Sequence, residues 1–198
     1  PDNECGLCRT CNGSGACVNA ADATDPKNDC TATAESTCGD DGYCNGSGGC
    51  RDWAYGTECV AQTCTGNTKY LHDTCNGVGT CVDGGTVDCS PYMCDGNDCR
   101  TSCTDNSHCI GTSYCDGGTC FGKLGIGSGC SDNSQCQSDH CVDGVCCNSV
   151  CGGTCQHCNL SGSVGSCIDI PANTDPDLDN DGDSDLADYA QFQQAYAH

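Results

Sequence analysis

The densest set of ligand-type side chains lies near the C-terminus. There Asp177, Asp179, Asp181, Asp183, Asp185 and Asp188 share one twelve-residue stretch with Gly182 at its sixth position. Hard oxygens at positions 1, 3, 5, 7, 9 and 12 around a glycine turn are what a calcium ion takes. Asp177, Asp179, Asp181 and Asp188 are expected to ligate through carboxylates, Asp183 through its backbone carbonyl and Asp185 through a water. Calcium is the cofactor that the sequence implies. Leu186, Tyr189, Phe192 and Tyr196 follow at helical spacing, which predicts an exiting helix with one apolar stripe.

Two other residue sets have spacings that can do chemistry. Cys5, Cys8 and Cys11, and again Cys155 and Cys158, stand three apart, a separation used by zinc sites and by redox-active thiols. They sit among 28 cysteines, an even number at a density typical of disulfide frameworks, so structural bridges are the expectation. Cys146 and Cys147 are adjacent and are expected to serve two bridges leaving in different directions. His72, His108, His140, His157 and His198 are scattered, with no Ser, Asp or Cys at a recurring spacing. No catalytic residue is assigned, and the chain is expected not to be an enzyme.

Composition explains why cross-links must hold these groups in place. The 198 residues include 28 Gly, one Trp, two Phe and one Met, and with the cysteines removed the apolar share falls to about 22%, well below the usual fraction. Such a chain cannot offset an ordering entropy of about 1 to 2 kcal/mol per residue by burial alone. Bridges that each add about 2 to 4 kcal/mol supply the difference, and they persist in oxidising compartments. With no run near the ~20 apolar residues of a membrane span and no apolar leader at Pro1, the expectation is a processed product that is secreted, extracellular or at the cell surface. A net charge of -22 repels nucleic acid and anionic membranes and attracts cations.

One cassette recurs along the chain. Cys11-Asn-Gly-Ser-Gly-Ala-Cys17 is followed by Cys44-Asn-Gly-Ser-Gly-Gly-Cys50 and Cys75-Asn-Gly-Val-Gly-Thr-Cys81, with shorter relatives at Cys115–Cys120 and Cys141–Cys146. Asn-Gly predicts a type I′ hairpin turn, with positive φ at both central residues. Asn12, Asn45 and Asn159 also begin Asn-x-Ser triplets, the acceptor pattern for N-glycans, although turn chemistry alone produces the same letters. A longer period overlies the cassette: Cys17 to Pro26 is echoed by Cys167 to Pro176, and Cys8-Arg-Thr-Cys11 by Cys155-Gln-His-Cys158.

The expected fold is small and disulfide-rich, an elongated array of short β-hairpins and irregular loops ending in one C-terminal α-helix. The expected divisions are a Cys-rich module over 1–38, hairpin modules over 39–98, Cys-rich modules over 99–122 and 130–176 with a Gly-rich linker over 123–129 between them, and the calcium loop with its helix over 177–198.

Residues 5–176 resemble the cysteine-rich tandem-repeat regions of large secreted proteins from environmental Gram-negative bacteria. The phrases that carry the likeness are Cys75 to Cys81, the spacing Cys89-Cys94-Cys99-Cys103, and Cys141-Val-Asp-Gly-Val-Cys-Cys-Asn148. The resemblance implies a surface or matrix stalk without chemistry of its own. Residues 177–197 resemble one half of a dockerin module, with Asp188 at position 12 and Leu and Tyr beside it; dockerins normally pair two such halves, and one is present. A single apolar helix stripe needs a partner. The leading expectation is therefore a structural subunit of a filament, stalk or matrix whose copies dock head to tail under calcium control. The alternative is a monomeric adhesin or dockerin-like anchor that captures a foreign cell-surface receptor.

Overall fold

A chain this poor in aliphatic runs has material only for brief ladders, and the computed structural model, which describes residues 4–153 and 156–170, consists of them. Among the described residues there are eighteen strands of two to five residues, three 3-10 turns at Glu35–Thr37, Asn106–His108 and Asn133–Gln135, and no α-helix. The expected C-terminal helix falls outside the described residues, and among those described no helix is long and apolar enough to cross a membrane. Thirteen disulfides are seen among the described residues. Sulfur also supplies the core: apart from Ala20 and Val145, every buried apolar residue among those described is a cysteine. The chain divides between Thr101 and Ser102 into two units.

The first unit is a series of cassette hairpins. Strands β1 (Arg9–Cys11) and β2 (Cys17–Asn19) pair around the first cassette, and β3 (Asp40–Cys44) and β4 (Cys50–Asp52) around the second. The third cassette joins β8 (Asp73–Cys75) to β9 (Cys81–Val82), with β5 (Glu58–Val60) on the other side of β8. A second three-stranded sheet places β7 (Thr68–Tyr70) between β6 (Thr63–Thr65) and β10 (Thr86–Asp88), and β11 (Cys94–Asp95) pairs with β12 (Asp98–Cys99). Disulfides run forward from one cassette region to the next: Cys8–Cys44, Cys30–Cys50, Cys38–Cys75 and Cys59–Cys81 close loops of 36, 20, 37 and 22 residues. The expected divisions at 38/39 and 98/99 are thus each spanned by bridges, Cys89–Cys99 crossing the second.

The turn type differs from the one expected. In all three long cassettes the asparagine keeps negative φ, and the two glycines take the left-handed region, Gly13 and Gly15 at 80° and 81°, Gly46 and Gly48 at 73° and 91°, Gly77 and Gly79 at 77° and 81°. The asparagine contributes its side chain instead: Asn12 Oδ1 accepts from the N–H groups of Ser14 and Ala16, Asn45 Oδ1 from Ser47 and Gly49, and Asn76 Oδ1 from Val78 and Thr80. An Asx turn with five residues between the cysteines has replaced the two-residue loop. The two-residue loop appears in the short cassettes, where Gly117 and Gly118, and Asp143 and Gly144, both have positive φ.

The second unit is built on a smaller plan. Strands β13 (Ser113–Asp116) and β14 (Thr119–Gly122) pair, as do β15 (Cys141–Val142) with β16 (Val145–Cys146) and β17 (Gln156–His157) with β18 (Ile168–Asp169). Cys103–Cys115 with Cys109–Cys120, and Cys130–Cys141 with Cys136–Cys146, form two crossed pairs that close loops of 10 to 12 residues. Cys103 accordingly belongs to this unit rather than to the Cys89-Cys94-Cys99 run before it. Cys146 and Cys147 do serve separate bridges, the latter to Cys158. The Gly-rich stretch expected as a linker is bonded at both ends: Lys123 N–H donates to the Thr112 carbonyl, Leu124 pairs with Cys136, and Gly129 with Val145. Glycine is needed at Gly127, whose φ is 82° and where a Cβ would lie 3.3 Å from the Val164 carbonyl oxygen.

Candidate functional site

The six aspartates from Asp177 to Asp188 and the helix residues Leu186, Tyr189, Phe192 and Tyr196 lie outside the described residues. The chain that leads to them is anchored. Cys167 is bridged to Cys151 and its N–H donates to Asn148 Oδ1 at 2.9 Å. Asp169 Oδ1 accepts from Gln156 Nε2 at 2.8 Å across the β17–β18 pair.

The three candidate glycan acceptors are all exposed. Asn12 and Asn45 occupy the same Asx-turn position. Asn76 makes the same two hydrogen bonds with Val78, not serine, two residues on, so the turn accounts for the asparagine without any modification. Asn159 is held differently, its Nδ2 donating to the Asp143 carbonyl at 3.3 Å.

Three members of the two cysteine sets are seen in bridges, and Cys155 lies outside the described residues. Cys5 pairs with Cys17, Cys8 with Cys44 and Cys158 with Cys147. The closest sulfur groupings, such as Cys8, Cys30 and Cys44 or Cys103, Cys109 and Cys120, consist of disulfide sulfurs, which lack the thiolate that zinc requires.

One histidine has a suggestive environment. His108 Nδ1 lies 3.3 Å from Thr104 Oγ1 and its Nε2 is 3.6 Å from Asp105 Oδ2, a hydroxyl, imidazole and carboxylate in sequence. The equivalent turn shows what the group does. There Gln135 Oε1 accepts from the Ser131 N–H at 2.7 Å, as His108 Nδ1 accepts from the Thr104 N–H at 3.2 Å. Glutamine fills the role of histidine, so the role is capping. Asp105 and Asp132 cap the same two turns by accepting from Ser107 and Ser134, and in each case the serine hydroxyl and then the serine N–H hold the carboxyl below the usual carboxylate range.

Two organising features escaped the sequence reading although their letters are present. The first is the repeat Cys103-Thr-Asp-Asn-Ser-His-Cys109 and Cys130-Ser-Asp-Asn-Ser-Gln-Cys136, whose Asn106 and Asn133 accept from the N–H groups of Cys115 and Cys141 at 2.8 and 2.7 Å. The second is the segment following each cassette. Ala23 N–H donates to the Cys44 carbonyl and Cys44 N–H to the Thr24 carbonyl; Gly56 and Thr57 make the same pair of bonds with Cys75. The second and third cassettes therefore each lie against the segment that leaves the previous one.

Comparison with protein-family models, curated proteins and solved structures finds no match.

Proposed function

We propose that this chain is a non-enzymatic structural protein of the cell exterior, a subunit or terminal piece of a filament, stalk or matrix whose copies dock head to tail under calcium control. The observation that carries the reading is the sulfur core: the described modules are held by thirteen bridges and bury almost nothing but cysteine. A construction of this kind keeps its shape without a large apolar interior, and it fits an oxidising, extracellular compartment. The Asp177 to Asp188 loop supplies the control element, because six oxygen ligands offered in one short stretch are silent until calcium organises them. With a net charge of -22, copies repel one another, and a bound divalent cation reduces that repulsion where the ends meet.

The test is light scattering during a calcium titration of the parent chain and of the double variant Asp177→Asn, Asp181→Asn, with calorimetry on the same samples. The parent is expected to bind calcium and gain mass, while the variant loses both responses. Calcium binding by a chain that stays monomeric would contradict docking between copies and favour an anchor that awaits a foreign receptor.

A further inference from the structure

The three-stranded sheet of β6, β7 and β10 has two unlike faces. Its central strand β7 sets Tyr70 between Thr63 and Thr86, Lys69 between Cys64 and Val87, and Thr68 between Thr65 and Asp88. Side chains two apart on a strand, and partners across it, share a face. One face therefore carries Cys64, Lys69 and Val87, and it is tied to the β11–β12 hairpin: Cys64 is bridged to Cys94, and Lys69 Nζ lies 2.9 Å from Asp98 Oδ1. The other carries Thr63, Thr65, Thr68, Tyr70, Thr86 and Asp88, all exposed except the half-buried Thr68.

This second face is nearly free of charge in a chain with 28 acidic residues, since hydroxyl groups fill every position but one. Its carboxylate, Asp88, is already committed: Oδ1 accepts from the Ser90 N–H, the Ser90 hydroxyl and Asn67 Nδ2. Lys69 is on the opposite face and is spent on Asp98. An anionic partner finds no cation here and is repelled by the net charge of -22. An apolar partner would leave the hydroxyls unpaired. Charge complementarity therefore selects an uncharged ligand that both donates and accepts hydrogen bonds, as another set of hydroxyls does. Tyr70, 48% exposed at the middle of the row Thr63–Tyr70–Thr86, adds an apolar ring with a polar tip. The C–H face of a sugar packs on such a ring while its hydroxyls reach the threonines on either side. Neighbouring strands lie about 4.8 Å apart, close to the advance of one pyranose along a β-linked chain, so a glycan laid across the strands meets one side chain per ring.

We propose that this face binds a neutral β-linked polysaccharide lying across β6, β7 and β10, with one ring over Tyr70 and the hydroxyls of the adjoining rings bonded to Thr63 and Thr86. The surface is pre-organised by the bridge at Cys64 and by pairing on both sides of β7, so little order is lost on binding. The binding is separate from calcium-controlled docking between copies: a structural subunit that carries it attaches its assembly to a polysaccharide matrix.

The test is retardation in non-denaturing gels that contain hydroxyethylcellulose or glycol chitin, with chelator present so that the calcium loop takes no part. The parent is expected to be retarded by at least one of these polymers. Tyr70→Ala, and the double variant Thr63→Val, Thr86→Val, should bind at least about tenfold more weakly. Phe121→Ala removes an aromatic side chain of the same 48% exposure from the other unit and should bind like the parent. Valine keeps the branched shape that suits a strand and takes away only the hydroxyl, and unchanged amide exchange in β6, β7 and β10 shows that the sheet is intact in each variant. A parent that neither polymer retards overturns the proposal. Equal weakening by Phe121→Ala, or full retention of Tyr70→Ala and of the threonine variant, overturns it as well, because the binding then lies elsewhere than on this face.

Discussion

The two units use the same cross-link for opposite ends. In the first, bridges such as Cys8–Cys44 and Cys38–Cys75 span 36 and 37 residues and tie each cassette to the region before it. In the second, Cys103–Cys115 and Cys109–Cys120 span 12 and 11 residues and close inside a single small module. The second and third cassettes of the first unit have their glycines and their buried first cysteines, Cys44 and Cys75, against the covering segment that leaves the cassette before; a module of the second unit satisfies itself through a capped 3-10 turn and a two-residue hairpin. Cross-linking can therefore make a series interdependent or make each link self-sufficient, depending on whether the paired cysteines lie in one module or two.

The largest expected effect separates these cases directly. Replacing Cys8 and Cys44 by alanine in the full chain should cost about 4 kcal/mol, and replacing Cys109 and Cys120 about 3 kcal/mol, on the chain-entropy account of loop closure. The extent of damage should differ more than the energy. Limited proteolysis of the first variant should open sites across both the first and second cassettes, and of the second variant only within residues 103–122. Equal, local opening in both would break the comparison.

A smaller effect isolates the cover. Gly13→Ala and Gly77→Ala place the same side chain at φ of 80° and 77°, so both carry the left-handed strain of about 1 to 2 kcal/mol. Only at Gly77 does the new Cβ meet a backbone atom, Tyr55 N at 3.3 Å. Chemical denaturation of the monomer should find Gly77→Ala less stable by a further ~1 kcal/mol. Identical costs would mean that the cover does not press on the third cassette.

The smallest expected effect is one the units share. Asp29 and Asp98 in the first are held below their ordinary range, Asp29 chiefly by the Cys8 N–H and Asp98 chiefly by the Lys69 side chain, as Asp105 and Asp132 are in the second. A carboxyl whose folded value is depressed contributes stability above its unfolded value, near 3.9, and loses it as pH falls through the folded one. Melting temperature should be level above about pH 5 and decline below about pH 4. Asp132→Asn keeps a cap acceptor but not the charge, and should flatten that decline slightly.

Much of the first-order architecture was legible from letters. Twenty-eight cysteines among so few aliphatic residues required a bridged, hairpin-rich fold, and the cassettes fall where hairpins form. The turn type was not legible, because Asn-Gly favours a type I′ loop only when two residues separate the strands; with five, the side chain of Asn12, Asn45 or Asn76 finds the N–H groups beyond it and the glycines take over the positive φ. Cys8 pairing with Cys44 was equally hidden, since pairing depends on which strand lies over which cassette and the cover is a contact between segments some twenty residues apart. The role of His108 emerged only when Gln135 was seen making the same bonds. The candidate calcium loop rests on the spacing of Asp177 to Asp188 alone, because those residues lie outside the described ones, while the bridge at Cys167 and the Asp169 contact that precede it are the structure's contribution.

Negative-stain electron microscopy of the non-reduced protein in calcium, and again after excess chelator, addresses the central claim most directly. Filaments that shorten or vanish on chelation are the predicted result. Separate particles of monomer size under both conditions would contradict calcium-controlled assembly of this chain with itself.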